Sequence, residues 1–197
     1  GRKTAVDRAA ALSSLKALLG ESGVPDSLAW PESLDRAGIR AAYTFADDLF
    51  LLDLAASRFE RLTRTGAKES LARLSPDGRK LAFVRGNDLF VLDLASRTEI
   101  RLTSDGADSI LNGALSWVYW EEVFDHADAG YWWSEDGSAI AFLRTDESAV
   151  SQVGFPDFKP SVPRVITQRY PKAGGANPTV RLGIVDVGSG TTVWMDP

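Results

Sequence analysis

Asp48-Leu-Phe-Leu-Leu-Asp-Leu54 recurs almost letter for letter, forty residues on, as Asp88-Leu-Phe-Val-Leu-Asp-Leu94. Arg61-Leu-Thr63 recurs at the same interval as Arg101-Leu-Thr103, and Leu182-Gly-Ile-Val-Asp-Val187 is a looser third copy of the strand. A second motif, Ser75-Pro-Asp-Gly-Arg-Lys-Leu-Ala-Phe83, returns as Ser134-Glu-Asp-Gly-Ser-Ala-Ile-Ala-Phe142. Proline at the second position presets φ for a turn, glycine at the fourth tolerates φ above zero, and an apolar strand follows each turn. A unit of about forty residues, made of short antiparallel strands with turn residues at fixed offsets, is the signature of a β-propeller blade. A β-sandwich with chance similarity is the alternative, and the paired matches at one period weigh against it.

The period then breaks. From Gly78 to Gly137 is fifty-nine residues, nineteen more than the first repeat predicts. The excess falls between Thr103 and Trp132-Trp-Ser134, and it contains Glu121 and Glu122. Insertions between blades emerge at the rim or over the central channel, where repeat proteins carry their binding sites. A second insertion, Thr145 to Pro178, holds Pro156, Pro160, Pro163, Pro171 and Pro178 and reads as an extended arm or hairpin leaving the propeller. Ahead of the repeats, Thr4 to Leu19 predicts a helix with Leu12, Leu15 and Leu19 on one face, ended by Gly20, Gly23 and Pro25.

The expected organisation is a helix and connector over 1–38, then an all-β, incomplete propeller over 39–197. The Glu-Glu insertion occupies about 107–131 and the arm about 145–178. At about 40–45 residues per blade the chain holds three to four blades, fewer than most closed propellers, so it reads as the N-terminal portion of a larger protein.

Composition narrows the function. The 197 residues are 44% hydrophobic with a net charge of −5, enough for a sizeable core and without a basic block for nucleic acid or an anionic membrane surface. There is no cysteine, which excludes disulfides and thiolate metal sites without fixing the compartment. No apolar run is long enough to predict a membrane-spanning helix, and the first residues lack the pattern of a signal peptide. His126 is the single histidine and reads as a surface or hydrogen-bonding residue. A nucleophile elbow, a metal-ligand spacing and a phosphate loop are all missing, and Ser189 in Gly188-Ser-Gly190 reads as a turn. No catalytic residue and no cofactor or metal site is expected in this chain.

The chemistry concentrates in Leu115 to Trp133, which packs four of the six tryptophans around Glu121 and Glu122. Carboxylates among aromatic walls are poorly hydrated unless a cation completes the site. On a short helix from Trp117 to Asp125, adjacent side chains diverge by about 100° and both reach one point beyond its end. In a strand they would point to opposite faces. A primary ammonium, with three donors, matches such a pair. A solvated acidic patch on a surface helix is the other reading of the same residues.

Trp117-Val-Tyr-Trp-Glu-Glu-Val-Phe124, Tyr131-Trp-Trp-Ser-Glu-Asp-Gly137 and Tyr170-Pro-Lys-Ala-Gly-Gly-Ala-Asn-Pro-Thr-Val180 together resemble the dipeptidyl peptidase IV family, in its order and at about its spacing. The resemblance implies a serine exopeptidase that joins an N-terminal eight-bladed propeller to a C-terminal α/β-hydrolase domain and releases Xaa-Pro or Xaa-Ala dipeptides. By the same resemblance Glu121 and Glu122 bind the α-amino group of a peptide with a free N-terminus, and act as a ruler for the second peptide bond. It also implies a propeller arginine that meets substrate carbonyl or carboxylate groups, placed at Arg40; a solvent-facing arginine is the alternative there. The arm corresponds to an element that helps members form homodimers, and a periplasmic or secreted location is expected. The triad belongs to the hydrolase domain, so residues 1–197 alone are expected to be inactive. Two other readings are a non-enzymatic propeller scaffold and an oligopeptidase or acylaminoacyl peptidase. A scaffold has no reason to bury a Glu pair among tryptophans, and the latter relatives lack the pair.

Overall fold

The computed structural model describes residues 6–20 and 23–195. One helix, α1 (Arg8–Leu19), precedes fifteen strands. Asp7 caps it, its Oδ1 accepting the Ala10 N–H at 3.0 Å, and Gly20 closes it with an N–H to the Lys16 carbonyl. The expected start at Thr4 lies outside the described residues. The buried face is Ala11 and Leu15 with Leu18 and Leu19 beside them, rotated from the leucine face predicted, because Phe59 and Tyr43 of the neighbouring sheet meet the helix there.

Three antiparallel sheets follow. The first is β1 (Ser33–Leu34), β2 (Arg40–Phe45), β3 (Asp48–Asp53) and β4 (Arg58–Arg61), in that order. The second is β5 (Glu69–Leu74), β6 (Lys80–Arg85), β7 (Asp88–Asp93) and β8 (Glu99–Arg101). The third is β10 (Tyr131–Trp133), β11 (Ala139–Asp146), β14 (Thr179–Asp186) and β15 (Thr192–Trp194), with β9 (Ile110–Asn112) also paired to β11. These are three propeller blades, within the three to four expected. β1 falls inside the segment predicted as connector; its strand identity comes from pairing with β2, which no local signal announces.

Both faces of the first two blades are covered, which is why their strands read as continuous apolar runs. Alternate side chains leave a strand on opposite faces. Leu49 and Leu51 therefore pack toward the second blade, against Leu81, Phe83 and Leu92. Phe50 and Leu52 pack the other way, against Ala11 and Leu15 of the helix. In the second blade Ala82, Val84, Leu89 and Val91 face the third, where Tyr131, Ile140, Phe142 and Val185 meet them. Each fully buried Leu or Phe contributes roughly 1.5–3 kcal/mol.

The first strands of the blades converge and so line the propeller axis. The inner edge of β5 is bulged between Ser70 and Arg73, with Leu71 at φ 60°. Its backbone groups find side chains from both neighbours. The Ala72 and Leu74 N–H groups donate to Glu32 Oε2 (2.7 Å) and Ser33 Oγ (2.9 Å). From the other side the single Tyr131 hydroxyl proton is shared between the carbonyls of Leu71 and Ala82, and Trp133 Nε1 donates to that of Arg73. Burial pushes the Tyr131 phenol far up, so it stays a donor at any physiological pH.

The expectation that the Glu-Glu segment leaves between blades is corrected by β9 and β10. β9 pairs with Arg144–Asp146 and β10 with Ile140–Phe142, on the same side of β11. They are two halves of one inner strand, and residues 113–130 interrupt it. Leu143 holds the break closed, accepting the Gly113 N–H at 3.0 Å and donating its own N–H to Gly130 at 2.8 Å. This excursion of eighteen residues accounts for all but one of the nineteen extra residues in the repeat. The arm is the hairpin β12 (Gln152–Asp157) and β13 (Arg164–Arg169), leaving between β11 and β14.

Candidate functional site

The excursion has a short neck and an aromatic head. The neck is closed by the Ala114–Ala129 bridge and by the Leu115 N–H to the Asp128 carbonyl at 3.2 Å. Gly130 suits this close passage, since a Cβ there would stand 2.6 Å from Leu115 Cδ2 and push that side chain aside. The head opens with one helical turn, Trp120 N–H to the Ser116 carbonyl at 2.9 Å, and widens into a π-turn over Tyr119–Val123, closed by the Phe124 N–H to the Tyr119 carbonyl at 2.9 Å. Such wide turns are rare and recur at functional sites. Asp125 and His126 then take left-handed backbone (φ 49° and 62°) and fold the chain back.

This turn carries both carboxylates. Closing over five residues instead of four leaves less than about 100° between successive side chains, so the wide turn brings Glu121 and Glu122 closer to a common direction than an α-helix would. Glu121 is half-buried, and its Oε2 lies 3.3 Å from His126 Nδ1. Glu122 is exposed. The walls are aromatic. Trp120 packs on His126 (centroids 4.8 Å apart), Phe124 on Trp132 (6.0 Å), and Trp117 on Tyr170 (4.7 Å). Trp120 Nε1 and Ser116 Oγ are buried without a hydrogen-bond partner.

An open cleft of about 460 Å³ runs along the inner strand β5, lined among others by Glu32, Asp47, Lys68, Arg73 and Asp128. It continues under the head against Leu115, Trp117 and Trp120. Among the described residues no group of three or more His, Asp or Glu side chains is placed to hold a metal ion.

Arg40 is not brought to this site. It opens β2 at the rim where the blades' Asp-Gly turns lie, and its Nη1 donates to the Gly78 carbonyl at 2.9 Å. The head lines a cleft together with Lys68, Ser70 and Leu71 near the start of β5, toward the opposite rim. The length of β2, about 16 Å, separates the two ends. The expected grouping of Arg40 with Glu121 and Glu122 is therefore absent, because the β2–β3 hairpin turns tightly at Ala46-Asp47 and carries no loop back over the axis. Sequence reasoning missed Tyr170 as a wall of this site. Its place in the specific Tyr-Pro-Lys-Ala-Gly block was the available signal.

The family model described as Dipeptidyl peptidase IV (DPP IV) N-terminal region matches residues 39–197. Probable dipeptidyl-aminopeptidase B of Emericella nidulans is 42% identical over 101 residues, 45% of this chain and 11% of that protein. Inactive dipeptidyl peptidase 10 of Rattus norvegicus is 39% identical over 79 residues, 40% of this chain and 10% of that protein. The crystal structure of Porphyromonas gingivalis dipeptidyl peptidase 4 superposes with a TM-score of 0.71 at 31% identity, covering 83% of this chain and 25% of that one. The matched stretch thus spans about a tenth of these relatives and a quarter of the solved structure. With three blades, a Glu pair on the interrupted inner strand and a family match that takes in every strand from β2 onward, this chain belongs to the dipeptidyl peptidase IV N-terminal region family.

Proposed function

We propose that this chain is the substrate-gating propeller portion of a dipeptidyl aminopeptidase IV-like serine peptidase that releases Xaa-Pro or Xaa-Ala dipeptides from free peptide N-termini. The observation that carries it is the Glu121-Glu122 π-turn, set among aromatic rings on an excursion from the innermost strand. In this proposal the substrate's ammonium, with three N–H donors, bridges the two carboxylates. The fixed distance from that anchor to the nucleophile selects the second peptide bond. The nucleophile, its histidine and its aspartate belong to an α/β-hydrolase domain of the same protein, so residues 1–197 alone turn nothing over. The arm's exposed apolar side chains support homodimerisation, and the proposed location is the periplasm or outside the cell.

In the whole protein, Glu121→Gln and Glu122→Gln are each expected to lower kcat/KM on a Gly-Pro chromogenic substrate by roughly 30- to 1000-fold. That is the effect of losing a charge-assisted contact of about 2–4 kcal/mol once bound substrate displaces water from the half-buried Glu121 and the exposed Glu122. Acetylating the substrate's N-terminus should do comparable damage. Unchanged activity in both variants would remove the amine anchor.

A non-enzymatic binding module is the second reading. The 39% identity to a relative named as inactive supports it. Whole protein without turnover, but with a Glu-dependent affinity for peptides with free N-termini, would decide for it.

A further inference from the structure

Trp117 and Tyr170, the first residues of the two most distinctive stretches, are more than fifty residues apart in the chain and touch in the fold, with ring centroids 4.7 Å apart and planes at 45°. Tyr170 is the first residue after β13, so the arm delivers it. The base of the arm is tied down on several sides. The Tyr170 N–H donates to the Ser151 carbonyl at 2.9 Å, just before β12. Arg169 donates to Asp108 Oδ2 at 2.8 Å and to the Glu147 carbonyl at 3.3 Å, and the Glu147 N–H donates to Ser109 at 2.8 Å. Tyr170 therefore stands on a fixed platform between the arm, β9 and β11.

The head of the excursion is held at fewer points. Its neck makes one bridge and two hydrogen bonds between its two strands, and on one side Phe124 meets Trp132 of β10. Trp117 lies one turn before Glu121, on the rigid segment that the Ser116 and Tyr119 carbonyls close. A ring held at Trp117, at the opposite end of the turn from Phe124, therefore completes the fixing of its rotation and of the direction in which both carboxylates point. We infer that Tyr170 is a positioning residue for the Glu pair, and that through it the arm sets the orientation of the amine site. This rests on the amine-anchor proposal and deepens it.

The test uses the whole enzyme with Tyr170→Ala, Tyr170→Phe, Trp117→Leu, the Tyr170/Trp117 double variant and Glu122→Gln as a reference. For Tyr170→Ala the expectation is a KM on the Gly-Pro substrate raised roughly tenfold, a kcat within about twofold, and unchanged labelling of the active serine by a small fluorophosphonate. Tyr170→Phe should restore KM because it keeps the ring. Trp117→Leu should match Tyr170→Ala, and the double variant should be no worse than either single one, as for two sides of one contact. A normal KM in Tyr170→Ala, beside a raised one in Glu122→Gln, overturns the inference and leaves the amine anchor standing. Normal KM in both removes the anchor and the inference together. A loss of labelling in Tyr170→Ala, or full additivity with Trp117→Leu, also overturns it, since the ring would then serve the fold alone.

Discussion

At the scale of single residues, the two aspartates of each Asp-Leu-Phe-x-Leu-Asp-Leu repeat do different work. The first, Asp88, is buried and gathers four donors: Arg101 Nη2 (2.5 Å), Thr103 Oγ1 (2.7 Å), the Gly106 N–H (3.0 Å) and Asn112 Nδ2 (3.1 Å). Asp48 does the same for Arg61 and the Thr65 N–H. This is why Arg-Leu-Thr recurs in step with the strand. The second, Asp93, only caps a turn, accepting the Ala95 and Ser96 N–H groups. Removing Asp88 strands several buried donors at about 1–3 kcal/mol each, partly relieved by water at the half-exposed Arg101. Asp88→Ala is therefore expected to lower stability by roughly 3 kcal/mol in urea unfolding, with Asp93→Ala clearly milder; equal losses would contradict the assignment. The Asp-Gly turns add a pH dependence. Hydrogen bonds from the Ser134 hydroxyl, then from the Ser138 N–H and hydroxyl, hold the Asp136 carboxyl down to about 2. A depressed carboxyl stabilises the fold above its unfolded value of about 3.9, and that contribution is lost as pH falls toward 2. Asp136→Asn should lower stability at neutral pH and flatten the acid limb between about pH 4 and pH 2, measured as Tm against pH.

At the scale of elements, what could be read from the sequence was what is local. Turns such as Ser75-Pro-Asp-Gly78 declare themselves because their hydrogen bonds close within five residues, Ser75 Oγ accepting the Lys80 N–H and donating to Asp77. The arm's prolines and the forty-residue period are local in the same sense. The interrupted inner strand was not legible, since β9 and β10 become one strand only by pairing with β11, more than thirty residues from β9's end in the first case. Nor was the place of Arg40, which depends on which rim the Gly78 turn occupies. The loose third repeat is explained by substitution of one pair for another. Arg181 stands where Asp48 and Asp88 stand, and Trp194 where Arg61 and Arg101 stand, so a cation–π contact at 4.3 Å replaces the ion pair. Gly183 makes this possible, because the Trp194 ring passes 3.0 Å from where its Cβ would be. Beyond its tied-down base, the arm is the element least supported by the rest. A two-stranded hairpin is marginal alone, and Phe158, Val162 and Val165 are 74%, 76% and 71% exposed on it. Burial against a second copy, as proposed above, would resolve both problems. Phe158→Asp with Val162→Asp is expected to turn a dimeric whole protein into a monomer in sedimentation velocity, and an unchanged dimer would move the interface elsewhere.

At the scale of the whole molecule, the blades stack with one sense, and that sense predicts what the third blade faces. Leu49 and Leu51 turn toward the second blade and are buried by it. Leu89 and Val91, at the same register, turn toward the third and are buried in turn. The equivalent positions of the third blade are Leu182 and Ile184, fixed by the pairing of Gly183 with Trp194 where Phe50 pairs with Arg61. Both are 38% exposed, and Val193 beside them is 57% exposed. A sheet face with this pattern is built to be covered. In a longer protein of this family, the next blade is expected to cover it, because that is the side on which every preceding interface is made. The consequence is a pair of substitutions whose cost depends on the length of chain. In the 197-residue chain, Leu182→Lys and Ile184→Lys place charges in solvent and should leave the urea midpoint nearly unchanged while improving solubility. In the whole protein the same charges would be buried without partners, and the penalty should reach several kcal/mol. Equal tolerance in both chains would mean that the third blade faces solvent, and that the stacking of the first two does not continue past it.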